Sequence, residues 1–144
     1  MEMLLICGQD IGFLSIGRVQ NGVLVAHQTV SASPEQYLST VDLTMREWGI
    51  EPSELSAIAV VTGPGSFTSS RISTVIANTI AFAKQIPVIP IENPDHLPLD
   101  EIINQIDVKK STPFAIPTYN RPPHITNSNY QPPTTNPQLL TTNS

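Results

Sequence analysis

The chain has 144 residues, of which 40% are hydrophobic and 13% charged, and it carries a formal net charge of -5. That length accommodates one domain with a real core but not two, and an acidic chain without a Lys or Arg cluster is excluded from gripping nucleic acid unaided. Cys7 is the single cysteine, which excludes an internal disulfide and a thiolate metal cage and favours a reducing, cytoplasmic setting. His27, His96 and His124 are scattered without ligand spacing, so neither a metal nor a cofactor is expected. "MLLIC" behind Glu2 is too short for a signal peptide, and no apolar run approaches membrane-spanning length.

In chain order, residues 3–7 form a continuous apolar run. Residues 11–19 alternate imperfectly, and residues 23–30 are again rich in β-formers. Asn21-Gly22 between the last two is a tight-hairpin signal, because both central residues of a type I′ turn need positive φ. These three runs read as an antiparallel meander. Ser33-Pro34-Glu35-Gln36 then offers an N-cap, a proline at the first helical position and a glutamine able to close a capping box. Tyr37, Leu38, Val41, Met45 and Trp48 follow on one helical face, with Gly49 where a helix ends. Such a stripe ordinarily faces a core, with a docking face as the alternative.

Residues 57–62 are apolar on both faces, as in a strand buried within a sheet. The turn Gly63-Pro64-Gly65 and a helix over residues 67–84 come next. A short strand at 87–92 follows, with Pro90 pointing to an edge position, and a weak helix is expected at 100–106. Three strands, then helix, strand, helix, strand is the order of one half of an actin-like or ribonuclease-H-like α/β domain. The expected fold is thus a five-stranded mixed sheet with helices, a single subdomain over residues 1–110. Residues 111–144 hold seven of the fourteen prolines and one formal charge, Arg121, and read as a largely extended or disordered tail in which Phe114, Ile116 and Tyr119 form the one apolar cluster able to pack back.

The stretch "VVTGPGSFTSSRIS" invites two chemical readings. It is not a P-loop, since the lysine is missing and the second glycine comes too soon, although the helix start at Gly65, Ser66 and Phe67 offers N–H groups to an anion. It is not a nucleophile elbow either, and Ser66 reads better as the N-cap of the helix. At 100° per residue Ser66, Ser70, Ser73, Ala77 and Ala81 share one side, with Ile72, Val75, Ile76, Thr79 and Ala83 opposite. The apolar side suits the sheet. The small side then suggests a second helix approaching closely, with a neutral solvated face as its rival.

The motif Gly63, Pro64, Gly65, Ser66, Phe67, Thr68 with Arg71 resembles the GPGSFTGxRIG signature of the TsaB (YeaZ) family. The likeness runs back through "ELSAIAVVTGPGSFT" and forward through "IANTIAFAKQIPVIPIENP", covering residues 3–94. Ser69 and Ser73 stand in place of two family glycines, and Ile6-Cys7-Gly8-Gln9 lacks the first-strand carboxylate that active relatives use near a nucleotide. "PTYNRPP" at 117–123 looks like a segment near the C-terminus of longer members, as in a minimal form without the second half.

The resemblance implies a non-catalytic scaffold or activator that binds a TsaD-like protein in forming N6-threonylcarbamoyladenosine on tRNA, with the chemistry and its metal belonging to TsaD. Tyr37, Leu38, Val41 and Met45 of the first helix and Ser66, Ser69, Ser70, Ser73 and Ala77 of the second are then the interface candidates. No catalytic residue, metal or cofactor is assigned. A TsaE-like ATPase and a homodimer in the absence of the partner stay open, tRNA is contacted only indirectly, and no membrane is involved. The alternative is a nucleotide-binding phosphotransferase or hydrolase of the actin-like superfamily using the Gly63–Ser66 turn.

Overall fold

The computed structural model describes residues 1–118. Tyr119, the rest of "PTYNRPP" and the tail expected to residue 144 lie outside the described residues. Strands β1 (Glu2–Cys7), β2 (Phe13–Gln20) and β3 (Val23–Ser31) form the expected antiparallel meander. Asn21 and Gly22 turn its hairpin at φ 51° and 81°, the left-handed values that Asn and Gly tolerate best. Helix α1 (Tyr37–Glu47), strand β4 (Leu55–Gly63), helix α2 (Phe67–Lys84) and strand β5 (Val88–Glu92) follow. β4 runs parallel to β1 and β5 parallel to β4, giving one mixed sheet in the order β3-β2-β1-β4-β5. The chain has the α/β, ribonuclease-H-like architecture anticipated from the element order.

Period-two alternation divides the core between the two faces of this sheet. Leu4 and Ile6 of β1, with Ile58 and Val60 of β4, pack under Tyr37, Val41, Met45, Ile76, Ala77 and Ala81 of α1 and α2. Met3 and Leu5, with Ala59 and Val61, face the other side, where Leu99 and Ile102 of the short helix α3 (Leu99–Ile102) cover them. Helix α3 stops well before residue 106 and continues only as a 3-10 turn, Ile103–Gln105. Upstream of α1 the first turn is likewise 3-10, Pro34–Gln36, and the Ser33 N–H donates to Gln36 Oε1 at 3.0 Å. Leu38, expected in the buried stripe, is 59% exposed, and Thr44 takes a buried place instead.

The small face of α2 lies inward rather than outward, and of the side expected to face the sheet only Ile76 is buried. Ser69, Ser70, Ser73 and Ala77 are fully buried, and Ala81 nearly so, whereas Val75 is 51% exposed and Thr79 and Ala83 are also exposed. The small face lies on the sheet because α2 runs so close to the end of β1. A Cβ placed on Gly8 would come within 2.7 Å of Ser73 Cβ, so larger side chains on that face have no room. The small stripe therefore records close packing of helix on sheet, not of helix on a second chain.

The ordered unit also runs past residue 110. Thr112 exchanges both backbone hydrogen bonds with Val88 at 2.8 Å each. The Asn78 amide on α2 donates to the Ala115 carbonyl at 2.9 Å and accepts from the Ala115 N–H at 2.7 Å, and the Thr118 N–H reaches the Thr62 carbonyl at 2.7 Å. Ala115 is the buried residue of this strap, while Phe114 and Ile116, expected to pack back, are 58% and 71% exposed. Backbone pairing and one amide clamp hold the strap rather than large apolar groups.

Candidate functional site

The motif Gly63 to Phe67 sits at the carboxyl ends of the parallel strands β1, β4 and β5, where open α/β sheets place their binding crevice. Here that crevice is filled from within. Gln9, directly after β1, is 1% exposed; its Nε2 donates to the Pro64 carbonyl at 2.6 Å and to the Asn93 carbonyl. Asn93, just past β5, donates from Nδ2 to Gln9 Oε1 at 3.0 Å and to the Leu97 carbonyl at 3.1 Å, and its Oδ1 accepts from the Leu97 N–H at 3.0 Å. Gly65 is glycine because a Cβ there would run into the Gln9 backbone.

The Ser66 N–H, which an anion at the start of α2 would claim, instead donates to the Gln9 carbonyl at 2.9 Å. Ser66 is the N-cap, as expected, its hydroxyl accepting from the Ser69 N–H at 3.3 Å. On the rim of the turn, Thr68 is exposed, and the Arg71 guanidinium sits 5.9 Å from the centre of the Phe67 ring. Asp10 and His96 meet nearby at 3.0 Å on the surface. Among the described residues no group of three His, Cys, Asp or Glu side chains could hold a metal ion, so they offer no ligand set for the metal that the resemblance assigns to TsaD. The sequence reading assigned no role to Gln9 or Asn93; the signal for Gln9 was its position in the stretch Ile6-Cys7-Gly8-Gln9 that lacks the first-strand carboxylate.

The interface candidates separate into two layers. Tyr37, Val41 and Met45 are buried beneath α1, and the Tyr37 hydroxyl donates to the Phe13 carbonyl at 2.8 Å, burial pushing its phenol above the usual range. Ser69, Ser70, Ser73 and Ala77 are buried beneath α2; Ser73 Oγ is spent on the Ser70 carbonyl at 3.1 Å, and the Ser70 hydroxyl has no partner among the described residues. Of the candidates only Leu38 lies open and Ser66 half-buried. What the two helices present outward is an apolar row that the helical wheel had assigned to the sheet. On α2 Val75 is 51% exposed beside half-buried Ile72, and Leu38 on α1 closes the same shallow groove with Pro34, Glu35 and Arg71.

This arrangement can be set beside known proteins. A family model described as TsaD, tRNA N6-adenosine threonylcarbamoyltransferase, matches residues 23–115. The chain belongs to this family. Within it, the chain is 37% identical over 59 residues to the tRNA threonylcarbamoyladenosine biosynthesis protein TsaB of Haemophilus influenzae, covering 41% of the chain and 25% of that protein. It is 36% identical over 59 residues to the tRNA N6-adenosine threonylcarbamoyltransferase of Lacticaseibacillus casei, covering 41% and 17%. Among solved structures, YeaZ from Pseudomonas aeruginosa superposes with a TM-score of 0.57 and 25% identity, over 64% of this chain and 44% of that one. The matched stretch is thus a quarter or less of the curated relatives and under half of YeaZ. The TsaB-like signature at residues 63–71 lies within the residues that the family model matches, which run from β3 through β5 and both helices. No helix of the described residues is long and apolar enough to cross a membrane.

Proposed function

We propose that this chain is a non-catalytic subunit that docks on a TsaD-like protein in the formation of N6-threonylcarbamoyladenosine on tRNA, in the cytoplasm. The observation that carries the reading is the apolar groove of Leu38, Ile72 and Val75, which spans two adjacent helices and stays open on the outer side of the described residues. Neighbouring helices with open apolar side chains present the ridges and grooves that a helix pair of a partner can enter. Tyr37, Val41, Met45, Ser69, Ser70, Ser73 and Ala77 act from below, fixing the height and angle of both helices on the sheet. Their part in docking is positioning, not contact.

The non-catalytic part of the reading rests on the closed turn. Gln9 occupies the space above Gly65, its carbonyl takes the Ser66 N–H and the Ser66 hydroxyl takes the Ser69 N–H, so two of the donors that a helix start would offer an anion are committed internally. The transfer chemistry then belongs to the partner, which also meets the tRNA, and a TsaE-like ATPase joins the assembly as a separate component. Co-expression with the TsaD-like protein of the same genome tests the reading. A stoichiometric complex on size-exclusion chromatography is expected, and separate elution of the two proteins contradicts it.

A further inference from the structure

Of the nine asparagines in the chain, Asn21 alone is followed by glycine. The backbone nitrogen of the next residue is the nearest nucleophile to an asparagine carboxamide, and in glycine no Cβ shields it. At the tip joining β2 to β3 both residues are exposed, the Gly22 N–H makes no hydrogen bond among the described residues, and a Cβ placed on Gly22 would meet nothing within 4 Å. The Met1 nitrogen donates to Asn21 Oδ1 at 2.8 Å, which draws electrons from the carboxamide carbon. The other asparagines of the described residues are held differently. Asn78 has its amide clamped on Ala115 and its successor Thr79 within α2. Asn93 is buried and precedes Pro94, which has no N–H to lose. Asn104 is exposed, but the nitrogen after it belongs to Gln105, whose side chain crowds the approach.

We propose that Asn21 is a deamidation site of the folded chain, with water as the co-reactant. The Gly22 nitrogen gives up its proton to solvent and bonds to Asn21 Cγ; the Cγ–Nδ2 bond breaks, and the nitrogen leaves as ammonia with a proton from water. One water molecule then opens the resulting five-membered imide at either of its carbonyls, giving aspartate or isoaspartate without any change of oxidation state. Ring closure requires the Asn21 carboxamide to swing over the Gly22 nitrogen, a movement within reach of a hairpin tip whose outer strand, β3, pairs on one side only. Aspartate preserves the hairpin, since Asp-Gly also suits a type I′ turn, and sets a carboxylate beside the Met1 nitrogen. Isoaspartate lengthens the backbone by one carbon between Gln20 and Val23, which pair directly, and so disturbs the register of β3 on β2. The tip is remote from the α1–α2 face, so this site stands or falls separately from docking on a TsaD-like protein.

The test is incubation of the folded full chain in neutral buffer, followed by mass spectrometry of the tryptic peptide from Val19 to Arg46, in which Asn21 is the one asparagine. The parent is expected to convert this peptide progressively into two isomers of equal mass, aspartate and isoaspartate, with Asn78, Asn93 and Asn104 unchanged over the same period. Asn21→Gly keeps a pair suited to the turn, so it should melt with the parent by circular dichroism and lose the conversion. In the aged parent, amide exchange in β3 should speed up while β1 and β4 keep their rates. A folded chain that stays unconverted, whether or not its urea-unfolded form converts, overturns the proposal. Conversion at Asn78 or Asn104 as fast as at Asn21, or an aged chain with unchanged exchange in β3, overturns it equally.

Discussion

Gln9 and Asn93, 84 residues apart in sequence, bond to each other twice across the ends of β1 and β5, the Asn93 side-chain amide donating to Gln9 Oε1 at 3.0 Å and the Gln9 amide returning to the Asn93 carbonyl. Together they fasten the three parallel strands where a ligand crevice would otherwise open. Gln9→Ala should leave the Pro64 and Asn93 carbonyls buried without their donor, at a cost of about 2–3 kcal/mol. In a double-mutant cycle with Asn93→Ala, measured by urea unfolding, the second substitution should cost clearly less than it does alone. Strictly additive losses would mean that the two amides act independently.

Helix α2 gives a contrast between faces. Ser73→Arg and Ala77→Arg place an unpaired charge against the sheet and should cost more than about 3 kcal/mol, enough to unfold much of the population. Val75→Arg lies on the open side and should change stability by no more than ~0.5 kcal/mol. Gly8→Ala, which drives a Cβ into Ser73, should cost about 1–3 kcal/mol. Equal melting temperatures for Ser73→Arg and Val75→Arg would contradict the burial of the small face.

Much of the fold was legible in the sequence, and the part that was not has a physical reason. Asn21-Gly22, the run through β4 and the Ser66 cap are local signals, decided by φ, alternation and one hydrogen bond. The orientation of α2 is not local. Hydrophobicity favours Ile72, Val75 and Ile76 as the buried side, and Ile76 is buried, but the short distance between α2 and β1 sets Ser73 and Ala77 beside it in place of Val75, and that distance is set by Gly8, 65 positions before Ser73. The same holds for the site. The glycine-proline turn was visible, whereas the amides that fill it, Gln9 and Asn93, come from two other strand ends and are brought to it only by the sheet order.

The strap after residue 110 depends on one side chain. Asn78 presents its amide to Ala115 as a strand would, accepting and donating once each. Asn78→Ala should cost about 2 kcal/mol, and a chain ending at residue 112 should lose at least as much in thermal unfolding. If the truncated chain melts with the parent, the strap contributes nothing to the domain.

Alkaline conditions should expose the state of Cys7. Burial pushes its thiol from 9.0 to about 11, with the Gln9 backbone opposing and the Asp10 carboxylate adding smaller effects. The folded chain holds this proton longer than the unfolded one does, so the associated stability is whole below about pH 9 and is lost as pH rises towards 11, by roughly 2–3 kcal/mol. Cys7→Ala should flatten the urea-unfolding free energy across that window relative to the parent. The Tyr37 phenol is raised in the same direction, chiefly by burial and in lesser part by Cys7 itself, so the difference also carries that smaller coupling. Parallel pH profiles for parent and variant would place the thiol in contact with water.

The most direct measurement of the central claim is a calorimetric titration of the full chain, and of its folded Leu38→Arg and Val75→Arg variants, into the TsaD-like protein of the same genome. The parent should bind one-to-one, and each arginine, set into an apolar helix contact, should weaken binding by about 2 kcal/mol or more, some 30-fold. No heat from the parent, or undiminished affinity in both variants, would contradict docking through the α1–α2 face.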